Sequence, residues 1–139
     1  MASRRDARRL ALDILYQADV TGADPASVVG GWLEAGREVP AFSIEIVEGV
    51  ASRGPEIDAL LGQHAQGWSV PRMTALDRAI LRIAVYELLH RPDVPPSAAI
   101  SEAVEAAAEL SSEESKSFVN GVLGRIARGS PEDGRVNAG

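Results

Sequence analysis

The sequence predicts an all-α fold of about seven helices in two small packed bundles. Apolar residues recur at helical spacing along nearly the whole chain, and no stretch alternates apolar and polar residues convincingly enough for a strand. Gly or Pro also stands at most places where a periodic stretch stops. The first helix spans about residues 4–20, because Ala7, Leu10, Ala11, Ile14, Leu15 and Ala18 form one apolar stripe. Ser3 is its N-cap and Gly22 its stop. Asp24-Pro25 opens a short second helix with Val28, Val29, Trp32 and Leu33, ending before Gly36. Pro40 opens a third with Phe42, Ile46, Val47 and Val50. Pro55 starts a fourth through Ile57, Leu60, Leu61 and His64 to Gly67, and the two bundles are expected to divide near Gly67–Pro71.

From Thr74 to His90 apolar residues occupy most of the circumference, which predicts the central, most buried helix. Three prolines within residues 92–96 forbid helix there. Ser97 is then the expected cap of a sixth helix, whose alanines permit close packing. Ser111-x-x-Glu114 matches a capping box ahead of a seventh, carrying Phe118, Val119, Val122, Leu123 and Ile126. Residues 129–139 turn to Gly, Ser, Pro and acids and read as a disordered tail, leaving 1–128 as a single domain.

Composition narrows the function. The chain has 139 residues and no cysteine, so disulfides, thiolate metal sites and thiol catalysis are excluded, and a cytoplasmic location is the simplest expectation. No apolar run approaches the roughly 20 residues that span a bilayer, and the N-terminus reads as lacking a secretory signal. The formal charge of −6 argues against a protein that coats nucleic acid with its whole surface. That charge is uneven. Residues 1–9 hold Arg4, Arg5, Arg8 and Arg9 against Asp6, a balance of +3, so the other 130 residues carry −9.

Catalytic signatures are missing. No phosphate-cradling glycine motif occurs, and His64 and His90 lack metal-ligand spacing. Glu45/Glu48, Glu102/Glu105/Glu109 and Glu113/Glu114 read as solvated helix faces. No enzyme, cofactor or metal is expected.

The first helix points elsewhere. At 100° per residue, Arg5, Arg9, Leu12 and Tyr16 fall at about 140°, 180°, 120° and 160°, with Arg8 at about 80° and the core stripe near 340°. The arginines are therefore expected to be exposed, with an aromatic ring on the same line. Cations in a first turn oppose the helix macrodipole at roughly 0.3–1 kcal/mol each, so a ligand is expected to compensate them. Arginine beside an exposed aromatic suits single-stranded RNA, holding phosphates while the ring stacks a base. A solvated basic face with Tyr16 tucked against a neighbour is the bland alternative. Asp6, Asp13 and Asp19 count against a targeting peptide or a membrane-surface helix. In Phe118-Val-Asn-Gly-Val-Leu123, helical spacing runs straight through Asn-Gly. Gly121 is expected to serve close helix packing, and Asn120 a hydrogen bond to a neighbouring segment.

Arg4-Arg5-x-x-Arg8-x-x-Ala11-Leu12-x-x-Leu15-Tyr16-Gln17 resembles the opening signature of the NusB transcription antitermination factors. Leu76–Leu88, Asp93-Val-Pro95, Ile100-x-Glu102-Ala103 and Ser117-Phe-Val-Asn-Gly-Val-Leu123 match its later blocks in order, so the resemblance runs from about residue 4 to 127. It implies two small helical bundles and no catalysis. It also implies binding of boxA RNA in nascent ribosomal transcripts, together with ribosomal protein NusE in a complex on RNA polymerase. A related methyltransferase fusion is not expected, since the chain ends too early and lacks a cysteine nucleophile. By position, Arg4, Arg5 and Arg8 match the family's basic RNA-binding segment, Tyr16 its tyrosine and Phe118 its aromatic. Glu114 and Lys116 match the loop beside the RNA, and Asp77 matches an acidic position associated with NusE. Asp6 interrupts the usual basic run, and Arg9, which joins the RNA-binding set here, stands where an acid is common. Arg5→Ala with Arg8→Ala is expected to weaken RNA binding and spare stability. The competing reading is a helical protein–protein adaptor, or a homodimer that buries the basic face, without RNA binding of its own.

Overall fold

The structure, a computed structural model, describes residues 3–129. Seven helices account for most of them: α1 (Arg4–Thr21), α2 (Pro25–Glu34), α3 (Ala41–Ser52), α4 (Gly54–His64), α5 (Ala75–His90), α6 (Pro96–Leu110) and α7 (Glu113–Gly129), with a short 3-10 turn at Val70–Arg72. Helix α5 is the axis of the molecule. Residues 79–81 and 83–87 are all buried, covering its full circumference, and it packs against α1, α3, α4, α6 and α7. A helix apolar on every side needs neighbours on every side, which is why it ends up central.

Two bundles share this axis. Helices α1, α2 and α3 pack on one another, while α4, α6 and α7 gather round α5. The division falls at Arg53–Gly54 rather than near Gly67–Pro71, because α4 packs with α5 and α7; the Gly67–Pro71 stretch lies inside the second bundle. One continuous hydrophobic cluster joins both halves through α5.

The caps follow sequence chemistry with two exceptions. Ser3 accepts from the Asp6 N–H and Thr74 from the Asp77 N–H, while Gly22 closes α1 at φ 74°. Helix α6 begins at Pro96 behind Pro95, one residue before the expected Ser97 cap, since proline suits a first helical position that needs no N–H partner. Helix α7 is capped by Ser112, not Ser111: the Ser115 N–H donates to Ser112 Oγ at 3.0 Å. The helix then runs unbroken to Gly129, the first residue of the expected tail; residues 130–139 lie outside the described residues.

Small residues set the closest approaches. Buried Ser43 of α3 donates to the Ala7 carbonyl of α1 at 2.7 Å. On α6, Ala99, Ala103, Ala106 and Ala107 are buried where the helix meets α5 and α7. Gly121 has no such role: a Cβ there would meet only the flexible guanidinium end of Arg125, at 3.3 Å. Asn120 is exposed, on the solvent side of α7, rather than bonded to a neighbouring segment. The close-packing glycine is Gly49 on α3, where a Cβ would overlap the Tyr86 ring of α5.

Candidate nucleic-acid interface

Four arginines crowd the first turns of α1, and each has an acidic partner from a distant segment. Arg4 pairs with Asp93 at 2.7 Å, in the connector between α5 and α6. Arg5 reaches Glu105 at 2.7 Å and Glu109 at 3.2 Å on α6, with Glu102 at 3.9 Å. Arg9 donates to Glu109 at 2.9 Å. Arg8 turns inward, its Nε donating to both carboxylate oxygens of Glu87 at 3.0 Å. The expectation of four exposed arginines is therefore corrected. Arg8 is 12% exposed and Glu87 1%, a buried pair at the joint of α1 and α5. Arg5 is half exposed, and its acids stand beside it at the surface.

The buried arc of α1 is wider than its apolar stripe implied. Leu12, expected on the exposed line, is 3% exposed in a groove with Ile80, Ile83, Ala84 and Ala103, because α5 packs along that flank and α6 lines its far side. Tyr16, one turn further on, is 43% exposed. Its neighbour Gln17 is fixed by accepting from the Trp32 Nε1–H at 3.1 Å, so this part of α1 is anchored to α2.

Electrostatics at the arm are those of a neutralised surface. The Arg91 guanidinium, with help from Arg4, holds Asp93 below the usual carboxylate range. The hydrogen bond from Arg9 likewise lowers Glu109. Glu87 goes the other way: burial raises it above its ordinary value, and the opposing pull of Arg8 does not overcome that. Phe42, at the start of α3, draws the guanidinium groups of Arg4, Arg8 and Arg91 to within 4.6, 5.5 and 5.0 Å of its ring centroid. Phe42, Glu87, Arg91 and Asp93 had no signal in the sequence as members of this cluster, since their partners lie far away along the chain.

A second surface lies between the α4–α5 link and α7. Trp68 is 49% exposed and packs edge to face against Phe118, ring centroids 6.4 Å apart. Arg72, Asp77, Ser112 and Glu114 line the same groove. Trp68 stands half in solvent, and Phe118 beside it is partly buried. Trp68 escaped the sequence reading, although a tryptophan between Gly67 and Pro71, outside any helix, is a usable signal. Asp77 is 9% exposed and accepts a hydrogen bond from Ser115 Oγ, so it ties the start of α7 to the start of α5. Lys116 stands apart. It is exposed on α7, about 160° round the helix from Phe118, and does not line that groove.

The predicted site residues therefore sort into separate places. Arg4, Arg5, Arg8 and Arg9 meet the acids of α5, α6 and their connector, Tyr16 stands alone in solvent, and Phe118, Glu114 and Asp77 share a groove with Trp68. Among the described residues no group of three or more His, Cys, Asp or Glu could hold a metal ion, and no helix is long and apolar enough to cross a membrane.

The NusB family profile matches residues 5–128. A transcription antitermination protein NusB from Beutenbergia cavernae is 52% identical over 142 aligned positions, covering 94% of this chain and 93% of that protein. Another, from Leifsonia xyli, is 46% identical and covers 99% of each. Among solved structures, T. maritima NusB superposes with a TM-score of 0.82 at 32% identity, covering 91% of this chain and 92% of that one. A chain from a crystal structure of antitermination factors NusB and NusE in complex with dsRNA gives a TM-score of 0.80 at 26% identity, covering 91% and 97%.

Proposed function

The chain belongs to the NusB family, which makes it a transcription antitermination factor, and from that premise we propose that it works by binding boxA RNA together with ribosomal protein NusE. Residues 1–128 are the binding unit, and the assembly acts in the cytoplasm on an elongating RNA polymerase. The observation that carries the RNA part is the Trp68–Phe118 pair: two rings edge to face, one half exposed, beside Arg72. Stacking on such rings is how single-stranded bases are held with little regard to sequence. Arg5, the most open of the α1 arginines that reach α6, supplies backbone contact, with Arg4, Arg9 and Tyr16 beside it on α1 and Lys116 and Glu114 on α7. Arg8 contributes by holding α1 on α5, not by touching phosphate. Likeness in fold to a chain from a structure of NusB and NusE with double-stranded RNA supports RNA binding alongside NusE.

Asp77 remains the proposed contact to NusE, reached at the floor of its groove. The acidic body complements a basic ribosomal protein. A mobility-shift assay with single-stranded boxA RNA, and with the same sequence as duplex, tests the proposal with and without NusE. A shift of the single strand that strengthens with NusE is expected. No shift under any condition would leave the protein-only adaptor, monomeric or homodimeric, as the better account.

A further inference from the structure

Arg5 and Arg9 together carry two positive charges, and Glu102, Glu105 and Glu109 face them with three negative ones at 2.7–3.9 Å. Approaching RNA therefore meets a local balance of −1, not a basic patch. The placement works against both helices. Arg5 lies in the first turn of α1, where the macrodipole disfavours a cation, and Glu109 in the last turn of α6, where it disfavours an anion. Nor is the pairing complete: Arg9 donates through Nη1 while its buried Nη2 has no hydrogen-bond partner. Charges chosen for helix stability alone would be reversed at both ends.

We propose that Glu105 and Glu109 occupy the positions of RNA phosphates and set the threshold for binding. A carboxylate offers a guanidinium the same pair of anionic oxygens that a phosphate does. Both glutamates are about half exposed, so they can rotate away into water, and exposed pairs of this kind hold weakly. An RNA that offers phosphates alone exchanges one anion for another and gains little. One that also stacks on Trp68 and Phe118, or arrives held by a partner, gains enough to displace the glutamates. The row thus sets a threshold that any RNA must exceed to occupy the arginines of α1. This inference rests on the RNA-binding reading of the arm.

The test compares Glu105→Gln with Glu109→Gln, made together, against wild type by fluorescence anisotropy. Probes are boxA RNA and a scrambled RNA of equal length, with NusE present. Affinity for both RNAs should rise by a similar factor, about three- to tenfold at 50 mM salt, and the gain should vanish by about 0.5 M as charge is screened. Glu34→Gln with Glu48→Gln, exposed on α2 and α3, makes the same change in net charge and should alter affinity less than about twofold. In an Arg5→Ala, Arg9→Ala background, the glutamine changes should give no gain. An equal gain in the distant control, or a gain that persists without the arginines, overturns competition at this row. So does unchanged affinity in the glutamine variant while the arginine variant loses RNA. If the arginine variant keeps full affinity, the arm does not bind RNA, and the inference falls with that reading.

Discussion

Arg8→Met should cost about 3–5 kcal/mol of stability, although Arg8 sits in the segment whose sequence looked free for ligand. The magnitude follows from its partner. Glu87 is 1% exposed, and both its oxygens accept from the Arg8 Nε at 3.0 Å. Burial already raises its pKa, with Arg8 the foremost group pulling it back. Without Arg8 the carboxylate must stay ionised in a dry interior or take up a proton. For a domain of this size each kcal/mol moves Tm by about 2–4 °C, so a loss of about 6–20 °C is expected in a circular-dichroism melt. The pH dependence has a definite sign. A carboxyl raised in the folded state favours folding when protonated, so stability falls as pH rises from the ordinary value of 4.5 through the raised one. Arg8→Met raises it further, so the variant should regain stability between neutral pH and about pH 5 more than wild type does. Arg8→Met with Glu87→Leu removes both charges and should recover most of the loss. A Tm within about 3 °C of wild type, or a double variant no better than the single, refutes the buried-pair account. Either result would also return Arg8 to the set of arginines available to RNA.

Three further outcomes are open to measurement. Gly49→Ala should destabilise the fold by about 1–3 kcal/mol or more in urea denaturation, because its methyl would overlap the buried Tyr86 ring; a neutral effect would mean α3 and α5 can part. Trp68→Ala should weaken boxA RNA binding about 5- to 150-fold, the value of one stacked base, while barely moving Tm; unchanged affinity removes the ring from the interface. Ser115→Ala leaves the buried Asp77 carboxylate without its hydroxyl donor and should cost about 1–3 kcal/mol. Asp77→Asn keeps an acceptor for Ser115 and should melt near wild type, so reduced NusE capture by that variant isolates a contact role for the carboxylate.

Local features of this fold were legible because their causes are local. The Ser3 cap and the positive-φ Gly22 and Gly36 depend on a few adjacent residues, and all stand where the sequence puts them. The central place of α5 follows from apolar residues on every side of one segment. The sequence is ambiguous where two registers compete: Ser111 and Ser112 both offer a hydroxyl ahead of α7, and the second is the cap in a fold that also docks Ser115 on Asp77. Gly49 and Gly121 invert the same lesson. Both sit inside a helix, but whether a ring stands against the missing Cβ is decided by another helix, and α5 meets only the first.

Charge shows most sharply what a linear reading loses. Counting along the chain yields a +3 arm on a −9 body, and that count is correct. It fails as a map of the surface because the acids that face the arm come from residues 87–109, some 80 to 100 positions away, brought there by the packing of α5 and α6 around α1. Helical periodicity did signal which flank of α1 is apolar, but not that α5 would reach the neighbouring flank and bury Leu12. What distinguishes the four arginines is therefore not their charge but how firmly each partner is held. Glu87 cannot leave Arg8 without an uncompensated charge in the core, whereas Glu105 and Glu109 can swing from Arg5 and Arg9 into water. One cluster of like residues thus divides into a structural clasp and an exchangeable set, and only the second can take part in binding.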